Sequence, residues 1–445
     1  MKYRFIFSCK LLTVALVSSI LGCILLQELA QLTPSSKVMK MDQLNVKRRF
    51  VEISSQGTYI YSAFFNQDKI NRNEEKTIVV LSWQQENATI NRYKCCVVAN
   101  NEMLSLQSSK TNYFVRGYGR LYASRVECHV PPRIISIDYV SIVKQIDECP
   151  TERTFYITVT VRKQITNRPN LAICNKYLYG SIDAFQLIEW FEVNLFHGVD
   201  TFTIHYNPSL NELSKRVLRY YENKGILQAV ELIPPLENEI SRKAHTFQLF
   251  KDEHVALLDC RERHRYFDIT IDIDRDEFIV MNTSEKGLLK KYLVDKLLYR
   301  KIGVLKFYIV FHDMTWNATN YNHELMIGRY GEATLPIIDW IKNAYMPSRV
   351  RLESGTIHAV LPMKGYSRVF ANPEEIALHH FRKCRTDFNK AQIKAVYIKG
   401  RIFKMKQSCK TMPRHYYKSI EMLANEREIQ FNVHQVIKSI TQTRL

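Results

Sequence analysis

Four carboxylates fall within six residues of this chain, Asp272, Asp274, Asp276 and Glu277, at the end of an apolar run with the composition of a strand. Like charges this close repel one another. A hard divalent cation, Mn2+ or Mg2+, relieves the repulsion, because such ions take one or two carboxylates and complete their shell with phosphate oxygens. In a sugar-nucleotide transferase such a cation neutralises charge growing on the departing diphosphate; taken alone, two aspartates two apart are also common as a solvated acidic strand end. Two rival motifs fail on the same residues. An EF-hand loop starting at Asp272 needs glycine sixth and glutamate twelfth, where Glu277 and Thr283 stand. A DxDx(T/V) phosphatase motif starting at Asp272 needs threonine or valine where Asp276 stands.

The elements that must position this cluster alternate. Asp183 to His197 has apolar residues at helical spacing behind an acidic N-cap and ends at Gly198; the strand Thr201 to His205 follows. A helix from Ser209 to Lys224 stops at Gly225, and the strand Leu227 to Ile233 stops at Pro234-Pro235. A helix from Ala244 to Arg263 leads into the strand Tyr266 to Ile273, which carries the cluster. Such alternation predicts βαβ units and an α/β class, with ligands bound beyond the carboxyl ends of the strands. Trp190 falls on the apolar stripe of its helix and reads as core. Residues 50–165 differ: short Val, Ile, Tyr and Thr-rich runs such as TYIYSAFF, KTIVVLSW and YKCCVVAN predict a β-rich domain. Residues 33–49 read as a stem, 166–400 as the catalytic domain and 401–445 as a basic C-terminal extension.

The chain has 445 residues, 46% hydrophobic and 24% charged, which excludes disordered and collagen-like classes. Leu11 to Leu26 is an uncharged apolar run behind Lys2, Arg4 and Lys10. It predicts a transmembrane signal anchor over 11–32 after a cytosolic tail of 1–10, short against the ~20 apolar residues a span needs. Positive charge before the span places everything after it in the lumen, as a single-pass type II protein, with the Golgi as the expected compartment. A cleaved signal peptide is the alternative, and Gly22-Cys23 also has the look of a lipoprotein site; each of these exports the chain. Eight cysteines lie beyond the span: Cys95, Cys96, Cys128, Cys149, Cys174, Cys260, Cys384 and Cys409. They permit disulfides whose pairing stays open, and the absence of a CxxC pair argues against structural zinc. Sequons stand at Asn87, Asn282 and Asn317. The net charge of +19 is scattered, without the motif context of a nucleic-acid binder, so no nucleic-acid partner is expected.

The segments around the cluster resemble glycosyltransferase family 92. Leu171 to Asn207 (LAICNKYLYGSIDAFQLIEWFEVNLFHGVDTFTIHYN) is similar to the opening of that family's catalytic domain, and VLRYYENKGILQAVEL and HVALLDC to the elements that follow. Asp274-Arg275-Asp276-Glu277-Phe278 matches its DxDEF motif, and Gly365 to Arg382 (GYSRVFANPEEIALHHFR) its closing HHYR segment. The resemblance implies a GT-A type nucleotide-sugar-binding fold, a UDP-galactose donor, Mn2+, inversion at the transferred sugar and a glycan acceptor. It implies metal ligands at Asp274 and Asp276, completed by His379 or His380, of which only one can face the site if both lie on a strand. Asp272 and Arg275 are expected near the donor phosphates, and Tyr206 and Asn207 near its nucleoside. Inversion needs a general base; Asp313, Glu324, Glu332 and Glu353 are candidates, at most one of them correct. The chain departs from the family pattern at Arg275, usually apolar, and at Phe381, usually tyrosine. Arg275 motivates the alternative of a catalytically silent, glycan- or protein-binding member.

Overall fold

Residues with β-propensity make most of the ordered backbone: strand outweighs helix by 43% to 25%. The computed structural model describes residues 50–442 apart from 54–56, 71–72, 86–91, 115–120, 162–168, 236–241, 354–355, 384–391 and 408–412.

The first half forms one sheet from β1 (Val51–Ile53), β2 (Thr58–Ile70), β3 (Asn73–Gln85), β4 (Tyr93–Ala99), β5 (Glu102–Phe114), β6 (Leu121–His129), β7 (Tyr139–Lys144), β8 (Ile157–Thr158) and β9 (Thr160–Val161). The order is β1-β2-β3-β6-β5-β4-β7-β8, with β9 on β2. Since β8 pairs with β7 and β9 with β2, one short stretch of chain joins opposite ends of the sheet and curls it into a barrel-like form. β4 and β5 meet through Asn100 and Asn101, both at positive φ (51° and 64°), the backbone a two-residue hairpin with right-handed twist requires. The inner face is packed with Ile60, Ile78, Val80, Val97, Val126 and Ile142. Disulfides join Cys95 to Cys128 and Cys96 to Cys149.

The second half contains β10 (Leu171–Leu178), α1 (Ala184–Phe196), β11 (Thr201–Tyr206), α2 (Glu212–Asn223), β12 (Leu227–Glu231), α3 (Arg242–Arg263), β13 (Ile269–Asp272), β14 (Glu277–Met281), α4 (Leu288–Leu293) and β15 (Ile302–Asp313). It continues with α5 (Met326–Arg329), β16 (Glu332–Ala333), β17 (Ile337–Tyr345), β18 (Val350–Arg351), β19 (Leu361–Pro362), β20 (Ser367–Phe370), β21 (Ile376–Arg382), β22 (Gln392–Ile398) and β23 (Arg401–Gln407). The last elements are β24 (His415–Tyr416), α6 (Lys418–Ala424) and α7 (Arg427–Gln442). The large sheet runs β12-β11-β10-β13-β17-β15-β21-β14, with β20 on β15, and β22 between β17 and β23. Its β12-β11-β10-β13 part is parallel, whereas β17 and β14 run antiparallel to their neighbours. Asp183 caps α1 by accepting from Phe185 N at 2.8 Å. At the other end of α1 Gly198 adopts φ 92°, and a Cβ there would stand 3.2 Å from Gly287 Cα, so the close approach of the next segment needs glycine. Past residue 400, Ile420, Leu423, Ile429, Val433, Val436 and Ile440 join the same core as α1 and the sheet.

The α/β class with a GT-A type catalytic domain is corrected by this architecture, which is mostly β and barrel-like. The alternation read between 171 and 273 is present, but the periodicity there says nothing of the strands that follow it from β15 to β23. The expected anchor over 11–32 and the stem lie outside the described residues, as do Asn87, Cys384 and Cys409. Among the described residues no helix is long and apolar enough to cross a membrane.

The two sheets meet across α3. Val255 and Ala256 pack with Tyr59, Trp83, Leu121 and Ala123, and Leu258 with Phe64, Val79 and Leu81. Trp83 Nε1 donates to Asp252 at 2.9 Å, and buried Arg125 of β6 donates to Glu262 from Nε and Nη2 at 3.1 and 3.0 Å. Removing one partner of a buried ion pair strands the other. Glu262→Leu is therefore expected to lower unfolding free energy by about 3–5 kcal/mol, and Arg125→Met/Glu262→Leu by less than the two single losses combined; additive losses in denaturant titrations would refute the coupling.

His197, at the C-terminus of α1, is 2% exposed, and neither ring nitrogen has a hydrogen-bond partner. Burial pushes its pKa down to about 4, and that of buried His312 down to about 3. The unfolded chain takes up the proton near pH 6.5, so this stability is whole above about 6.5 and is lost as pH falls through about 4. Unfolding free energy should drop between pH 7.5 and 4.5, with His197 contributing up to about 3 kcal/mol, and His197→Leu should flatten the slope. An unchanged slope would contradict the assignment.

Candidate functional site

The acidic segment leaves β13 at Asp272, which has no exposed surface. Its carboxylate is fully engaged: Arg261 of α3 donates from Nε and Nη2 at 3.1 and 2.6 Å, and Tyr345 of β17 donates its hydroxyl at 3.0 Å. Expected near the donor phosphates, Asp272 instead anchors the strand end to α3. The next residues make a turn that closes on itself. Glu277 N donates to Asp274 O at 3.2 Å, and Asp274 N donates to Glu277 Oε2 at 2.8 Å. Phe381 N donates to Asp276 O at 2.9 Å, and Trp190 Nε1 to Glu277 O at 3.1 Å. Trp190 is core, as its spacing indicates, and also grips the backbone of the turn.

A cation that the sequence reading missed sits in this turn. Lys342 of β17 is wholly buried, and its Nζ lies 2.6 Å from Asp274 Oδ2 and 2.8 and 2.6 Å from the two oxygens of Glu277. Burial works against the ammonium, but Asp274 and Glu277 outweigh it and hold its pKa above the usual lysine value. Burial likewise opposes ionisation of Asp274, yet Lys342 and Lys176 hold its carboxyl below the usual range. Lys176, on β10, donates to Glu253 of α3 at 2.8 Å, so a further lysine and a further carboxylate border the cluster. The signal for Lys342 was the single basic residue of its strand, two residues from fully buried Ala344 and so on its face.

Asp276 is freer. Its side chain is 27% exposed and its Oδ2 stands 3.3 Å from His380 Nε2. His380 is buried, and Nε2 lacks a properly aligned hydrogen-bond partner. Burial pulls its pKa down, but Asp276 and Glu277 pull harder and leave it raised. In the β14–β21 register Glu277 faces His380 and Phe278 faces His379, so the two histidines point to opposite faces. His379 Nδ1 pairs with His312 Nε2 at 2.8 Å, and the ring lines a cavity of about 560 Å3 with Tyr397, His415 and Tyr417. Of the pair, His380 alone joins the acidic cluster.

The remaining expected residues are dispersed. Asn207 builds a turn, accepting from Ser209 N and donating to Tyr177 Oη, each at 2.8 Å, while Tyr206 ends β11 half-buried. Glu353 pairs with Lys110 of β5 at 2.6 Å, Glu332 with Arg414 at 3.5 Å and Glu324 with His434 at 3.1 Å. Asp313 is buried at the end of β15, paired in register with Arg382 of β21, and accepts from Thr315 N and Oγ1 at 2.9 and 2.7 Å. Arg275 is half-buried and, among the described residues, forms no ion pair; the place between the carboxylates is taken by Lys342.

Asp276, His380 and Asp274 Oδ1 supply oxygen and imidazole donors of the kind Mn2+ or Mg2+ accepts, and His380 Nε2, without an aligned hydrogen bond, fits such an ion. Their ligand atoms are not gathered to one point. Among the described residues the group within 4.8 Å of one another is Cys174, Cys260 and His264, where the two sulfurs are bonded to each other. Compared with known proteins, residues 169–430 match the family model described as Glycosyltransferase family 92. That span covers more than half of the chain and every residue of the cluster. No curated protein matches the chain.

Arg261→Met should leave Asp272 as a buried uncompensated charge and cost about 3–5 kcal/mol; Tyr345→Phe should cost about 1 kcal/mol, one hydrogen bond. Equal losses in denaturant unfolding would show that the guanidinium is not what holds Asp272.

Proposed function

We propose, because this chain belongs to glycosyltransferase family 92, that it moves galactose from UDP-galactose to a glycan acceptor, with inversion and with Mn2+ or Mg2+, in the secretory pathway. The family match supports glycosyl transfer as the reaction class. The observation that carries the site is the buried His380 Nε2, without an aligned hydrogen bond and 3.3 Å from half-buried Asp276. Asp276, His380 and the free oxygen of Asp274 would hold the cation. When bound, such an ion neutralises charge on the departing diphosphate. Arg275 and Lys176 border the same place and suit phosphate oxygens, Arg275 by its planar fork of donors and Lys176 as a point charge. Lys342 and the closed turn hold Asp274 in one orientation, so binding energy is not spent on ordering it.

A base must take the proton of the acceptor hydroxyl. Glu324, Glu332 and Glu353 are engaged in ion pairs elsewhere, and Asp313, next to β21 at the strand end nearest His380, is the candidate this reading keeps. Three disulfides support an oxidising compartment, reached through an anchor at 11–32 that leaves the catalytic part lumenal.

A panel of nucleotide sugars, each with an acceptor glycan and Mn2+, tests the reading. UDP-galactose should turn over, and Asp276→Asn and His380→Ala should each reduce kcat/KM at least about 100-fold with little change in unfolding midpoint. No turnover with any donor by a folded sample would sink the enzyme; full activity of both variants would sink the site.

A further inference from the structure

An ammonium has three protons to donate and no lone pair, and in Lys342 all of this capacity is directed at three carboxylate oxygens, Asp274 Oδ2 and both oxygens of Glu277. A wholly buried lysine persists only where its charge is matched, so these three side chains stand as a unit. The charge count follows. Four carboxylates occupy the segment; Arg261 offsets Asp272, and Lys342 offsets one charge of the Asp274 and Glu277 pair. Before half-buried Arg275 is counted, two negative charges remain, too few to balance two divalent ions. Lys176, the other lysine bordering the cluster, has Glu253 as its partner.

We propose that Lys342 is the resident cation of the acidic motif. It withdraws Glu277 and Asp274 Oδ2 from metal binding, so that a motif rich enough in carboxylates for two ions takes one, at Asp276, His380 and Asp274 Oδ1. Glu277 is thereby a support of the turn and not a ligand. A fixed ammonium also weakens the field of the carboxylates, so the single ion is held more loosely than the bare motif would hold it. This deepens the metal reading above and rests on it.

The test titrates Mn2+ alone, by calorimetry, into metal-stripped protein. Wild type should bind one ion, and Asp276→Asn should abolish that binding. Lys342→Met should bind Mn2+ at least tenfold tighter or take a second ion, because the carboxylates lose their competitor. Should that variant fail to fold, Lys342→Met/Glu277→Gln removes the cation together with one carboxylate; it should bind one ion at least tenfold tighter through an unmasked Asp274, with a larger Mn2+-induced rise in melting temperature. A purely structural lysine would give equal or weaker binding in the variants, which overturns the proposal. Binding by the variants and not by wild type would overturn the metal reading and uphold the role of Lys342. Binding by none of them would overturn both.

Discussion

A helix covered by β-sheet on two sides has almost no face left for water, so each polar residue along its buried stretch must be answered by a partner or cost free energy. From residue 252 onward α3 is in this position. Asp252 meets Trp83, Glu253 meets Lys176, Asp259 meets His205 and Arg263, Arg261 meets Asp272, and Glu262 meets Arg125. Cys260 is bonded to Cys174 of β10. Asp252 and Glu262 reach the barrel-like sheet, while Glu253, Asp259, Cys260 and Arg261 reach the sheet that bears the acidic turn. The first half of the chain is thus tied to the site through a rigid element, with Lys110–Glu353 as a further link, although it contributes none of the cluster's carboxylates.

The acidic motif itself divides into roles by the partner each carboxylate meets. Asp272 and Glu277, 0% and 1% exposed, are spent on Arg261 and Lys342 and hold the backbone. Asp276, with 27% of its side chain exposed, stands 3.3 Å from His380 and, among the described residues, meets no buried lysine or arginine. Asp274 is shared, one oxygen on Lys342 and the other without a partner among the described residues. Desolvation explains the two deepest, which the chain must neutralise; Asp274, with 31% of its side chain exposed, is held because β17 brings Lys342 beside it and not because of its depth.

What could be read from the linear chain was whatever depends on near neighbours. The N-cap at Asp183, the stop at Gly198 and the opposite faces of His379 and His380 follow from local rules and are present in the structure. The contacts of Lys342 were not legible, because Asp274 and Glu277 lie 68 and 65 residues away and only the strand order brings them together. The same non-locality hid Lys110 as the partner of Glu353, across 243 residues. Class failed for a related reason: helices declare themselves over a dozen residues, whereas β15, β17, β21 and β22 acquire their meaning from one another. Tyr206 and Asn207 were placed by analogy, and Asn207 turned out to serve its own loop.

The neighbouring cysteines of β4 carry one more consequence. Cys95 and Cys96 point to opposite faces of the strand, one sulfur joined to β6 and the other to Cys149 beyond β7. A strand that slips by one residue turns every side chain over, so a slipped β4 would offer each sulfur to the wrong side and neither bond could close as it does here. Oxidation of this pair therefore acts as a proofreading step for β-strand alignment: the bonds that lock the barrel can form together only after its register is right.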